Sequence, residues 1–161
     1  MLALLFGLCS CNSQGNMTHN LTEGEIHLSN GQVIKAKIVY RSEEKARGLS
    51  GVSPQNFADD QGLLFFFPNK GVRSFWMPDT YFDLDIFYLD QDLKVLHIIR
   101  NAPHHPGFKE PIPRLKEVVA WHVLEMKSGS PLAAQIKVGQ TLNWNPSWNK
   151  VSRYLLGLFR K

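Results

Sequence analysis

Apolar and polar side chains alternate along much of this chain, most strictly where Ile34, Ala36, Ile38 and Tyr40 recur at period two. That spacing puts every second side chain on one face of a strand. Ile26 and Leu28 precede it, and Asn30-Gly31 lies between, a pair that accepts the positive φ angles of a two-residue turn. The pattern predicts a β-hairpin. Ser42-Glu43-Glu44-Lys45-Ala46-Arg47-Gly48 then supplies a capping serine, two acids in the first turn and a glycine stop, which predicts one short helix.

Further strands are predicted over 62–67, 72–77, 81–89, 93–100 and 117–126, with turns such as Pro68-Asn69-Lys70-Gly71 and Asp90-Gln91-Asp92 between them. Residues 101–113 hold Pro103, Pro106, Pro111 and Pro113, too many for a central strand or a helix, so a long irregular loop is expected there. Such loops often carry function. Residues 130–135 read as a capped helical turn with Pro131 at its first position, and 137–143 as a closing strand. The predicted fold is mainly β: a single-domain sandwich or barrel-like β fold with one or two short helices and a C-terminal helix.

That last helix has a pattern of its own. Val151, Tyr154, Leu155, Leu158 and Phe159 share one face, and Lys150, Arg153, Arg160 and Lys161 surround it with positive charge. A helix of this kind can lie on anionic lipid, dock on a partner, or pack its apolar face on its own domain. Its four cations also account for the net charge of +4, since residues 1–149 balance 14 Lys/Arg against 14 Asp/Glu. A neutral body has no broad basic face for a polyanion, so no nucleic-acid partner is expected.

At the other end, residues 1–8 are an apolar run, followed by Cys9, Ser10 and Cys11 and then a polar stretch. Leu8-Cys9-Ser10-Cys11 resembles a lipobox, with Leu at the third position before the modified cysteine and a small residue just before it. The expected organisation is a signal sequence at 1–10, a flexible tether at 11–24, a β-rich domain at 25–143 and a basic amphipathic tail at 144–161. Cys11 would carry the lipid, making the chain an extracytoplasmic, periplasm-facing lipoprotein held at a membrane by its acyl chains and, in one reading, by residues 150–161. The alternative is a disordered or buried first segment. No cysteine follows Cys11, so no disulfide forms within the mature body.

Candidate chemistry gathers in two places. Asp79, Asp83 and Asp85 form an acidic neighbourhood beside Trp76; Asp83 and Asp85 share a strand face roughly 7 Å apart, a spacing suited to a cation or an acid/base pair, or simply to a solvated face. His104 and His105 lie on the proline-rich loop near Glu110; adjacent histidines serve one metal only if the loop bends sharply. His97 and His122 lie in apolar strands and are expected to be satisfied, half-buried histidines. Trp76 and Trp121 are expected in the core, and Trp144 and Trp148 in an exposed turn. No Gly-x-Ser-x-Gly, no His-Glu-x-x-His and no glycine-rich phosphate loop is present, so no cofactor is predicted and the metal question stays open.

The blocks Arg47-Gly48-Leu49-Ser50-Gly51, Gly62-Leu63-Leu64-Phe65, Phe75-Trp76-Met77-Pro78-Asp79-Thr80, Leu84-Asp85-Ile86, Ala102-Pro103, Val123-Leu124-Glu125 and Ile136-Lys137-Val138-Gly139 occur in an order and spacing that resemble the domain of unknown function 192 family, over about residues 33–142. The resemblance implies a mainly β, often exported domain, with no settled activity attached. It makes Arg47 and Glu125 motif positions that could form a supporting ion pair. Pro78 and Asp79 stand where the family usually has a basic residue and Asn, and Asp83 where it usually has Pro.

Three functions remain open on the sequence. The first is a binding module of the cell envelope, taking a small ligand or an envelope protein around Trp76, Asp79, Asp85, His104 and His105. The second is a metal-dependent or acid/base hydrolase using Asp79, Asp85 and His104, which requires those groups to converge. The third is a structural protein of the membrane surface, acting through its two ends.

Overall fold

The alternation around residue 34 builds the first hairpin. In the computed structural model, which describes residues 22–145 and 147–160, β1 (Glu23–His27) pairs antiparallel with β2 (Val33–Val39), and Ile26 sits opposite Ile34. Ser29, Asn30 and Gly31 make the turn, one residue longer than expected: the Leu28 N–H bonds the Gln32 carbonyl at 2.9 Å, and Gly31 takes a φ of 84°. α1 (Ser42–Arg47) follows. Its first turn is closed by Glu44 rather than Ser42, the Glu44 carboxylate accepting the Tyr40 N–H at 3.3 Å and the Arg41 N–H at 3.2 Å.

Next come β3 (Gln61–Phe65), β4 (Gly71–Arg73), β5 (Leu84–Leu89), β6 (Val95–Ala102), β7 (Val118–Ala120), β8 (His122–Lys127), β9 (Asn143–Asn145) and α2 (Trp148–Leu158). Seven strands form one sheet in the order β6-β5-β8-β3-β2-β1-β9, and β4 and β7 form a second, two-stranded sheet. The fold is mainly β, with open, sandwich-like sheets. Pairing in the large sheet is antiparallel except between β2 and β3, which run parallel. Parallel neighbours need a crossover, and this one carries α1 and a 3-10 turn at Pro54–Asn56 across one face of the sheet.

Several predicted strands are cut by the tertiary structure. The stretch 117–126 breaks at Trp121, so β7 pairs with β4 while β8 inserts between β3 and β5. Residues 74–83 leave the sheets because their backbone bonds go to the proline-rich loop. Met77 N–H reaches the Pro113 carbonyl at 3.1 Å, Asp79 N–H the Gly107 carbonyl at 2.7 Å, and Thr80 and His105 exchange bonds at 3.1 Å. The expected closing strand at 137–143 instead laces the sheet's edges together. Val95 N–H bonds the Gln140 carbonyl at 2.8 Å, Leu142 N–H the Leu93 carbonyl at 3.1 Å, and the chain then becomes β9 against β1.

The central strands are buried on both faces, because alternate residues feed two separate cores. Leu64, Phe87, Leu124 and Met126 join Ile26 and Ile34 in one, while Leu63, Phe65, Ile86, Tyr88 and Val123 join the other. α2 seals the first core: Val151 and Leu155 are fully buried, so the helix packs its apolar face on its own domain. The boundary expected at residue 143 falls at the start of β9, and Trp144, Val151 and Leu155 beyond it pack in the same first core. Glu23 and Gly24, counted with the tether, begin β1. The expected signal at 1–10 and Cys11 lie outside the described residues.

Candidate functional site

β8 turns Val123 and Glu125 toward the second core. On the sheet, Glu125 has Leu63 of β3 on one side and Ile86 of β5 on the other, neither able to donate a hydrogen bond. It is 5% exposed, and among the described residues no ion pair or hydrogen bond reaches its carboxyl. Burial without a partner disfavours the charged form, and pushes the carboxyl up to about 8. At neutral pH this group is an acid holding its proton, able to donate one hydrogen bond.

The end of α1 closes over it. Gly48 leaves the helix with a φ of 49°, and a Cβ there would lie 3.2 Å from the Phe65 ring and 4.0 Å from Glu125 Oε2, so the backbone comes this close because no side chain intervenes. Ser50 Oγ donates to the Pro78 carbonyl at 2.7 Å, and Gly51 N–H to the Asp79 carbonyl at 2.9 Å, fastening the α1 exit to residues 75–80. Thr80 Oγ1 donates to the Met77 carbonyl at 3.0 Å and accepts the His105 N–H at 2.9 Å, which fastens that segment to the loop. Phe75 stands edge-on to Phe65, with centroids 5.0 Å apart.

Between these walls runs a narrow cleft of about 40 Å³, lined among others by Arg47, Ser50, Phe75, Trp76, Thr80 and Glu125. Arg47 is exposed; its carbonyl accepts the Ser50 N–H at 2.9 Å, but among the described residues its guanidinium has no ionic or hydrogen-bond partner. Lys45 also lines the cleft and rests its ammonium 4.5 Å from the Phe67 ring; burial and then Arg73 hold it below the usual lysine value. Trp76 is 44% exposed, with the Arg114 guanidinium 5.2 Å over its ring. A wider groove of about 710 Å³ shares Arg47, Gly48 and Leu49 and runs past Lys35 and Lys37. It has the greater volume but no buried ionisable side chain, so the chemistry favours the smaller cleft.

A profile of the family described as Uncharacterized ACR, DUF192, matches residues 25–144. The chain belongs to the DUF192 family. Two solved structures are similar to this DUF192 chain. One is a Sinorhizobium meliloti 1021 protein with a proposed role as a transcription regulator, 24% identical over 76% of this chain and 92% of its own, with a TM-score of 0.61. The other is a protein of unknown function from Novosphingobium aromaticivorans DSM 12444, 25% identical over 76% of this chain and 84% of its own, with a TM-score of 0.60. No curated protein matches the chain.

In the DUF192 chain the sequence blocks around Arg47, Phe65, Trp76 and Glu125 meet in the one cleft. Arg47 and Glu125 share its lining but form no ion pair. Asp85 points the other way. It sits opposite Met126 in the register, is 4% exposed, and accepts from Arg100 Nη1 at 2.5 Å, Asn101 N–H at 3.0 Å and Ser128 Oγ at 3.1 Å. Asp83 is held by His104, through its backbone N–H at 2.8 Å and Nδ1 at 2.6 Å, and these bonds lower its carboxyl below the usual value. His105 Nε2 goes instead to the Lys109 carbonyl at 2.7 Å, and Asp79 accepts from the Tyr81 hydroxyl at 2.8 Å. Asp79, Asp85 and His104 thus hold separate partners and do not converge. Among the described residues no three His, Cys, Asp or Glu side chains stand where they could hold a metal ion.

Trp76 and Trp144 reverse their expected places, while Trp121 and Trp148 are both half-buried. Trp144 is 6% exposed, since the middle of β9 faces inward opposite Ile26, whereas Trp76 sits where the chain has left the sheet and lies over Arg114. Trp148 is half-buried, its indole donating to the Gln91 carbonyl at 2.9 Å. His122 is fully enclosed rather than half-buried. Its Nδ1 accepts the Phe67 N–H at 3.3 Å, which places its proton on Nε2, and burial pushes it down to about 3. Lys45, Ser50, Phe75 and Thr80 were not singled out for the site; Ser50, Phe75 and Thr80 lie within the family blocks, which was the available signal.

Proposed function

We propose that this DUF192 protein is a binding module without catalytic chemistry of its own, taking a small ligand in the cleft between α1, residues 75–80 and β8. The observation that carries the reading is Glu125: a buried carboxyl with no described partner, on the lining of a cleft whose rim presents an unpaired Arg47 and an exposed Trp76. A largely buried carboxyl without a protein partner on the lining of a cleft is a physical reason to expect a ligand that completes it; among the described residues the one fully enclosed side-chain atom without a partner is Trp144 Nε1, which belongs to the first core and not to this cleft. The reading also has the module exported and held at a membrane through lipidated Cys11, supported by the lipobox-like Leu8-Cys9-Ser10-Cys11.

Two experiments test this. Fragment titration of the full chain carrying Cys11→Ser, followed by amide NMR, is expected to shift Arg47, Ser50, Trp76 and Glu125 together; ligands that shift only residues elsewhere contradict the cleft. Membrane fractionation of the expressed chain is expected to move it from the membrane to the soluble fraction when Cys11→Ser is introduced, and an unchanged distribution contradicts the anchor.

A further inference from the structure

The groups around Glu125 discriminate between classes of ligand. The ionisable side chains lining the cleft are Lys45 and Arg47 from α1 and Glu125 from β8, and Glu125 also acts on Tyr88 of β5, whose phenol is pushed up to about 12 by burial and then by Glu125. A cationic ligand would have to ionise Glu125 between Leu63 and Ile86 and then lie beside two cations. A ligand anion meets the opposite situation: positive charge on the rim and a hydrogen-bond donor within. Ser50 and Thr80 do not compete, since both hydroxyl protons go to backbone carbonyls.

Size narrows the class further. About 40 Å³ accommodates one or two waters or a headgroup of like bulk, so the rest of any ligand must lie outside, along the rim where Trp76 presents its ring. Arg47 offers the planar fork that matches a carboxylate. Resting on the binding reading above, we infer that the cleft takes the carboxylate of a small organic acid, with Arg47 as its charge partner, the Glu125 O–H as its hydrogen-bond donor and Trp76 against its apolar portion.

The test uses the full chain carrying Cys11→Ser, titrated with benzoate, benzylamine and benzamide and read by amide and indole NMR at about pH 6.5 and about pH 9.5, on either side of the Glu125 transition. Benzoate is expected to shift Arg47, Trp76 and Glu125 at the lower pH and to bind about tenfold more weakly at the higher one, where ionised Glu125 repels it. In Glu125→Gln, whose amide remains a donor, binding at the lower pH should persist and most of that pH dependence should be lost, the remainder coming from Lys45, whose ammonium burial holds below the usual lysine value. Arg47→Met, an exposed substitution that leaves the fold intact, should weaken benzoate about tenfold. Benzoate binding that ignores both Arg47→Met and pH overturns the assignment. Benzylamine binding in the cleft more tightly than benzoate, and gaining with pH, overturns the ligand class while leaving the cleft as a site. Failure of all three probes to shift cleft residues overturns the ligand class and the binding reading together.

Discussion

Asp85 lies opposite Met126 and Glu125 opposite Ile86, so two acids on neighbouring strands face opposite sides of the sheet. Asp85 is satisfied by Arg100, Asn101 and Ser128, and Arg100 in turn donates to the Ala133 and Ile136 carbonyls at 2.9 and 2.7 Å, tying β5 and β6 to the 3-10 turn at Ala133–Gln135. Asp85→Asn should therefore cost roughly 1–3 kcal/mol in urea unfolding, less than a wholly buried pair would, because the Arg100 side chain is 34% exposed. Asp83→Asn, at an exposed pair with His104, should cost under about 1 kcal/mol in the same measurement. Glu125 gives the opposite pH behaviour from a salt-bridged acid. Its folded value of about 8 lies above its ordinary 4.5, so between those values the folded state holds a proton that the unfolded state has released, and stability falls as pH rises through that window. Glu125→Gln removes this contribution. Its stability relative to the native chain should rise across the same window by up to about 5 kcal/mol, at about 1.4 kcal/mol per pH unit, and then level off above about pH 8, as read from urea midpoints.

At the scale of elements, local signals predicted what local forces decide. The β1–β2 hairpin and α1 could be read because alternation and capping chemistry act within a few residues, although Glu44 closes α1 in place of Ser42. The extents of β4, β5 and β7 could not, because the backbone at 74–83 is claimed by a loop some 25–40 residues away in sequence. For α2 the pattern gave an amphipathic helix, and the fold supplies the surface it covers. Leu155→Ala should cost about 2–4 kcal/mol in thermal or urea unfolding, as at a core site. A chain ending at residue 143 loses Trp144, Val151 and Leu155 from the first core together with the pairing of β9 to β1, and should show lower thermal stability by far than the full chain.

At the scale of the whole molecule, the cleft exists because β8 inserts between β3 and β5 while the β2–β3 crossover carries α1 over the same face. Arg47 and Glu125 stand far apart in sequence, and no periodicity reveals that strand order. Family resemblance marked both positions, and the fold explains them: they line one cleft without an ion pair. Trp76 was legible as a site residue for the same reason. Alternation alone does not say which face of β5 each acid takes, and Asp85 faces away from the cleft; His104 and His105 part because one bonds Asp83 and the other the Lys109 carbonyl. The larger groove over Lys35 and Lys37 adjoins the cleft at Arg47, so a ligand longer than a headgroup and a ring has a path to extend along.

The binding role of the cleft depends on the Glu125 carboxyl being largely buried without a described partner and therefore uncharged at neutral pH. Carbon-13 NMR of that side-chain carboxyl in the full chain, followed across pH, tests this directly. A transition near 8 is predicted; a transition near the ordinary 4.5 would mean a hydrated or paired carboxylate and would contradict the account.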